Sequence, residues 1–303
     1  MKFRDWLFEW LEYYVKPKAK YKTYTNYKNQ INNHIDSKLG DFEIEDISAL
    51  RLQKFVVSLS EKGLSSNTVN GIINVLRNSL RLAVAVGKAT KQYSDLIQRP
   101  KSREKPIDSF SKQEQKLIES YIKGKNIPKL YGIILCLYTG LRIGELLSLE
   151  WSDIDFKKQI IYVSKTCRDA WVNNEYVKII DTPKTETSER TIVFPKQLLP
   201  ILKIMKQVSK SGYVVEGNTK YGAEVRSYQR TFDRMLERIG IEHKGFHSLR
   251  HTFATRALEC GMDVKTLSVT LGHKNPTITL KRYAHSMTEH RIDMMNKIGK
   301  LLD

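Results

Sequence analysis

A chain of 303 residues, 41% hydrophobic and 28% charged, has the length and balance of a soluble globular protein with two domains or one large one. Fifty-one Lys and Arg against 33 Asp and Glu give a net charge of +18 and an isoelectric point near 9.6, a field that attracts polyanions, of which nucleic acid is the commonest large one. Scattered Cys136, Cys167 and Cys260 without a CxxC pair exclude a disulfide frame; charges throughout "MKFRDWLFEWLEYYVKPK" exclude a signal peptide, and the apolar run near "YGIILCLY" is too short to span a membrane. The expected location is the cytoplasm.

In chain order, "FRDWLFEWLEYYV" repeats its Trp, Leu and Phe at helical spacing and predicts a helix that stops before Pro17. Further helices fit "TYTNYKNQINNHI", "SALRLQKFVVSLSEKG" closed by Gly63, and "SNTVNGIINVLRNSLRLAVAVG" closed by Gly87. The stretch "KPKAKYKTYTNYK" alternates lysine with tyrosine, which suits contacts to a phosphate backbone; a solvated helix face is the competing reading. Candidate DNA contacts are Lys18, Lys20, Lys22, Tyr24 and Lys28 there, with Arg77 and Arg103 further on. "QRPKSREKPIDS", polar and basic with two prolines and no periodicity, reads as a linker. A capping box, Ser111 to Glu114, opens the next helix. Strand-like runs then come in "QIIYVSKT", "YVKIID" and "RTIVF", after which helices resume. The expected fold is mainly α with one small antiparallel β-sheet: a helical domain over 1–97, a linker over 98–109 and an α+β domain over 110–303.

Several residues carry potential chemistry. "TGLRIGE" puts Arg142 at a turn after an apolar helix, with Glu145 three residues on; "HSLRH" puts His247 and Arg250 on one helix face. "TPKTETSERT" puts Lys184 between two strand-like runs, where a hairpin turn would project it. "LGHKNP" places His273 at a helix end, with Asn275-Pro276 able to start the helix that carries Tyr283. Taken singly, an arginine after a helix is usually a cap and a tyrosine usually packing. As a set they suit phosphoryl transfer to a phenol. Guanidiniums fork onto the non-bridging oxygens of a pentacoordinate phosphate, and a lysine can protonate the departing oxygen. An unperturbed phenol is only about 0.1% ionised at pH 7, a handicap of roughly 4 kcal/mol that an imidazole and the arginine field can reduce. Two alternatives fare worse. His243, His247 and His251 are spaced by fours, yet Gly245 interrupts the helix and Ser248 stands where a zinc-protease motif needs Glu. "GNTKYGAE" lacks the Lys-Ser/Thr pair of a phosphate-binding loop. No metal and no nucleotide cofactor is implied.

"YTGLRIGELLSLEWSDID", "TPKTETSERTIVF", "FHSLRHTFAT" and "LGHKNPTITLKRYAH" match, in order and spacing, the motifs of the tyrosine recombinases, the phage-integrase family of site-specific DNA recombinases, which the chain resembles from about Phe110 to about Arg291. The helical first domain looks like that family's SAM-like core-binding domain. The resemblance implies that Arg142 and Arg250 hold the scissile phosphate, His247 and His273 assist proton transfer and phosphate binding, and Lys184 protonates the leaving 5′-oxygen. Glu145 would position the site, and Tyr283 would form a 3′-phosphotyrosyl bond on the way to a Holliday junction, without ATP or metal. His251 falls outside the pattern and reads as structural. Ser248 departs from it, where Asp is frequent, and Lys165 is a rival for Lys184.

"SMTEHRIDMMNKIGKLL", with a capping box from Ser286 to Glu289, predicts an amphipathic helix over about 287–302. The family suggests that it docks on a neighbouring protomer of a homotetramer on synapsed double-stranded DNA, the free protein being a monomer or weak oligomer; packing on its own domain is the plain alternative. The first domain starts close to Met1, so the expectation is a simpler recombinase without an arm-binding domain; a directionality factor is a candidate partner. A type IB topoisomerase and a basic DNA-binding protein without catalysis are the rival functions.

Overall fold

The computed structural model describes residues 1–91, 93–101, 108–172, 175–181, 189–217, 219, 221–273, 275, 277 and 295–296. The periodic aromatics of the N-terminus form α1 (Phe3–Trp10), which runs on through a π-helical turn at Leu11–Val15 and ends short of Pro17. Phe3, Trp6, Leu7, Trp10 and Leu11 share the buried face, the spacing expected of a helix with one apolar side. Trp6 is 0% exposed and its indole N–H donates to the Ser79 carbonyl at 3.0 Å, which satisfies the one polar atom the ring brings inside. α2 (Tyr21–Gln30) continues as a second π-helical turn (Ile31–Ile35) into α3 (Asp36–Leu39). α4 (Ala49–Glu61) and α5 (Ser66–Ala85) start at Ser48 and Ser65, whose side chains accept from Arg51 N and Thr68 N. The glycines read as helix stops, Gly63 and Gly87, have φ of +78° and +73°, where a side chain would be strained. The π-helical turns were not anticipated, because one extra residue in a turn leaves the apolar repeat recognisable.

The chain divides into two units, Met1–Lys105 and Pro106–Asp303. Both described ends of the 98–109 stretch are tied down. Gln98 N–H donates to Gln53 Oε1 at 2.9 Å and Ser66 Oγ to the Lys101 carbonyl at 3.2 Å. In the second unit, Phe110 N–H donates to Thr252 Oγ1 at 2.8 Å and Lys244 Nζ to the Ser109 carbonyl at 3.1 Å.

The second unit opens with α6 (Lys112–Lys125), whose capping box between Ser111 and Glu114 is formed as expected. α7 (Tyr131–Thr139), buried on almost every side, leads to the short α8 (Ile143–Ser148). β1 (Ile154–Asp155), β2 (Ile160–Val163) and β5 (Arg190–Val193) form an antiparallel sheet in the order β1-β2-β5, with Ile161 opposite Ile192. β3 (Thr166–Val172) and β4 (Glu175–Asp181) form a separate hairpin, with Asp169 opposite Lys178. α9 (Leu199–Val208), α10 (Val225–Arg238), α11 (His247–Glu259) and α12 (Val264–Leu271) follow. One apolar core extends from Phe110 to Leu249, with a satellite of Ala254, Ala257, Leu258, Leu267 and Leu271.

Two expectations need correction. The described strands make two sheets, not one. β1 is too short to show a period, and β3 was missed because Arg168 and Asp169 break its apolar pattern. Their charges are used locally: Arg168 pairs with Asp181 across the hairpin at 2.9 Å, and Asp169 caps α10 by accepting from Val225 N and Arg226 N at 3.1 and 2.7 Å. The strands flanking Lys184 are not partners either. β4 pairs with β3 and β5 with β2, so β4 and β5 belong to different sheets and are not the two arms of one hairpin. Among the described residues no helix is long and apolar enough to cross a membrane.

Replacing Trp6 by Ala is expected to destabilise the first unit by about 3–5 kcal/mol, the range for emptying a buried aromatic site. Urea unfolding of the full chain followed by circular dichroism measures it, and a loss below about 1 kcal/mol would contradict the packing described.

Candidate active site

α7 ends on Gly140, at φ +66°. A Cβ there would lie 2.6 Å from Phe253 Cδ1 and 2.8 Å from Leu271 Cδ2, so both the backbone and the space require glycine. The turn delivers Arg142 to the N-cap of α8 and Glu145 to its first turn. Glu145 accepts the Arg142 backbone N–H at 2.9 Å and Arg142 Nη1 at 2.6 Å. Its side chain is 5% exposed, whereas that of Arg142 is 37% exposed. Arg190, at the start of β5 and 4% exposed, forks onto the same carboxylate, with Nη1 3.1 Å from Oε1 and Nη2 2.9 Å from Oε2. Burial alone would raise the Glu145 pKa; the hydrogen bonds and charge of Arg190, with the charge and backbone N–H of Arg142, more than offset it and hold the carboxyl at about 2.

Arg250, on α11, is 2% exposed and joins two helix ends. Its Nη1 donates to the Gly140 carbonyl at 2.9 Å and its Nη2 to the Leu271 carbonyl at 2.5 Å. Leu271 closes α12, Gly272 follows at φ +65°, and half-buried His273 comes next, its N–H donating to the Ser268 carbonyl at 3.0 Å. Arg190 reaches the same helix end, Nε donating to the Thr270 carbonyl at 2.7 Å. His247 is the exposed first residue of α11, and its ring meets that of His251 edge to face at 4.6 Å. Segments more than a hundred residues apart thus meet at one place, with Arg142, Arg250, His247 and His273 on or beside them.

Lys184, Tyr283 and Arg103 lie outside the described residues, as does the expected helix over 287–302 apart from Met295 and Asn296. Lys165, the rival lysine, pairs with Glu150 at 3.1 Å and Asp153 at 3.7 Å. Burial lowers its pKa, but the Glu150 hydrogen bond and the two carboxylate charges raise it further, which opposes release of a proton. Because α11 begins at His247, His243 is not on that helix; it faces Asp233 at 3.2 Å. Among the described residues no three His, Cys, Asp or Glu are grouped to hold a metal ion.

In the first unit Lys18, Lys20, Lys22 and Lys28 are exposed. Tyr24 is half-buried and its hydroxyl donates to Glu12. Arg77 donates to the carbonyls of Ser94, Asp95 and Ile97 at 3.0, 3.3 and 3.1 Å, which ties that loop to α5. The guanidinium the sequence reading missed is Arg190. It stands inside the motif "TPKTETSERTIVF"; a charge at the head of an apolar strand, where it must be paired if buried, is the signal that could have found it.

Residues 108–290 match the phage integrase family, and residues 2–60 match the N-terminal SAM-like domain of phage integrases. The chain belongs to the phage integrase family of tyrosine recombinases. It is similar to a XerC-like tyrosine recombinase of Caldanaerobacter subterraneus subsp. tengcongensis, 31% identical over 98% of this chain and 81% of the relative. The transposase of transposon Tn916 from Enterococcus faecalis is 26% identical over 94% of this chain and 75% of its own length. The fold is that of the Tn1549 transposon integrase solved with a circular intermediate DNA, at TM-score 0.82, 23% identity and coverage of 98% and 99% of the two chains. It is also that of a lambda integrase tetramer solved on a Holliday junction, at TM-score 0.71, 22% identity and coverage of 91% and 79%. This recombinase is therefore an enzyme of site-specific DNA recombination, with a SAM-like helical domain ahead of an integrase catalytic domain.

Held at about 2 against an ordinary 4.5, Glu145 contributes about 3 kcal/mol to the recombinase's stability, fully present above about pH 5 and lost as pH falls from about 4.5 towards 2. Glu145→Gln is expected to forfeit that contribution at pH 7 and to melt with a shallower acid dependence. Superimposable melting-temperature profiles for the two proteins between pH 6 and about 3 would refute the assignment.

Proposed function

We propose that the recombinase exchanges strands of duplex DNA through a covalent bond between Tyr283 and a 3′-phosphate, and that the ends it joins belong to a mobile element. The observation that carries this reading is the meeting of the Arg142, Arg250 and His273 segments through the Arg250 bonds to Gly140 and Leu271. Fixed positive charge in a buried setting is what an anionic pentacoordinate phosphate requires. Arg142 presents the more exposed guanidinium, and Arg250, 2% exposed and bonded to two helix ends, the more rigid one.

In the proposed step the Tyr283 phenol attacks phosphorus while His247 and His273 assist proton removal and phosphate binding, and Lys184 gives a proton to the departing 5′-oxygen. The bond energy is kept in the phosphotyrosine. A 5′-hydroxyl of a partner duplex then reverses the step, so two rounds pass through a Holliday junction. Bonds broken and formed are alike, and the step needs neither ATP nor a metal ion. The mobile-element reading draws on relatives such as the ICEBs1 integrase of Bacillus subtilis and the integrase of Staphylococcus phage L54a. A tetramer on synapsed DNA, with the segment after Tyr283 docked on a neighbour, is part of the same proposal, as are exposed Lys18, Lys20, Lys22 and Lys28 as phosphate contacts. A directionality factor would be a further partner.

On a nicked substrate that traps the adduct, Tyr283→Phe should give no covalent DNA while its affinity for the site stays within about threefold of wild type. An adduct in that variant would mean another nucleophile. Arg142→Ala should slow trapping by at least about 100-fold, or about 3 kcal/mol in the barrier; a variant as fast as wild type would remove Arg142 from the phosphate.

A further inference from the structure

The four hydrogen bonds on Glu145 occupy both of its oxygens twice. Oε1 accepts Arg142 Nη1 and Arg190 Nη1; Oε2 accepts the Arg142 backbone N–H and Arg190 Nη2. A carboxylate has about four lone-pair sites, so this one is saturated. Arg142 is consequently held by a single guanidinium nitrogen and cannot also fork onto Glu145. The three side chains together carry a charge of +1; without Arg190 the sum is zero. Arg190 also grips the end of α12 through the Thr270 carbonyl, and a Cβ on Gly272 would lie 3.0 Å from its Cδ, so the residue before His273 rests directly on it.

We propose that Arg190 is a positioning residue for the reaction proposed above: it neutralises Glu145 so that Arg142 keeps its charge for the scissile phosphate, and it sets the helix end that carries His273. Removing it opens two acceptor sites on a buried carboxylate. Arg142 is the nearest cation and swings into bidentate contact there, withdrawing from the phosphate. This inference rests on the phosphotyrosyl reading; its distinct content is that Glu145 becomes an inhibitor of cleavage once Arg190 is gone.

The test is the single-turnover rate of adduct formation on a nicked substrate at saturating protein, alongside site affinity and melting temperature. Arg190→Met should cleave at least about 100-fold more slowly than wild type, while Arg190→Met combined with Glu145→Gln should regain at least about tenfold over Arg190→Met, because no carboxylate then competes for Arg142. A merely structural Arg190 would show no such rescue. Arg190→Lys, which keeps the charge but not the fork, should stay within about tenfold of wild type. Arg190→Met within about threefold of wild type, or a double variant no faster than the single one, overturns the proposal. Should Arg190→Met fail to fold, Arg190→Lys decides: a folded, DNA-binding lysine variant slowed by more than about 100-fold overturns it too. A wild-type protein that forms no Tyr283-dependent adduct overturns instead the reading of the reaction itself.

Discussion

The buried carboxylate of Glu145, held between Arg142 and Arg190, is the contact on which the arrangement of the site depends. Taking such charges out of water is costly, and their attraction compensates only where the geometry is good and every lone pair is used. Here the fork from Arg190 and the two donors from Arg142 meet that condition. Three elements distant in sequence are locked by it: the first turn of α8, the head of β5 and, through Arg190 and Thr270, the end of α12. An apolar trio of similar volume would pack there without the desolvation cost, but it would present no cation at the surface.

A second device acts beside the first. Helices end with unsatisfied carbonyls and a partial negative charge. α7 and α12 both end on a left-handed glycine, and Arg250 takes one carbonyl from each end. Two helix C-termini therefore stabilise a guanidinium that is 2% exposed, and that guanidinium in turn fixes the distance between the segment bearing Arg142 and the segment bearing His273. α11, which supplies Arg250, is itself pinned near its middle: Thr252 Oγ1 accepts the Phe110 N–H and its hydroxyl donates to the Ser248 carbonyl at 2.8 Å. Arg256 holds the Phe110 carbonyl at 2.9 Å. The start of the second unit is thus bonded to the helix that carries His247 and Arg250.

In the first unit the same principle separates cations by use. Lys18, Lys20, Lys22 and Lys28 are left open to solvent, while Arg77, with its planar fork, is spent on three carbonyls of one loop. A residue type in a basic stretch does not reveal which of these two roles it takes; burial and partners do.

Much was legible in the sequence. The helices of the first unit follow from apolar spacing, serine caps and glycine stops, all of them local; so does the capping box at Ser111 and the interruption of the histidine row by Gly245 before α11. Arg142, His247, Arg250 and His273 could be singled out from three motifs that resemble those of the family; their residue types suit phosphate chemistry, while their order along the chain is a mark of the resemblance and not a demand of the chemistry. What only the tertiary structure decided is non-local. That β4 pairs with β3 and β5 with β2, and not with each other, depends on which strand edges meet, and strand identity says nothing of partners. That Tyr24 and Arg77 are used internally, and that Arg190 is buried against Glu145, depends on contacts between residues far apart in the chain, where a charged side chain looks the same in sequence whether water or a carboxylate surrounds it.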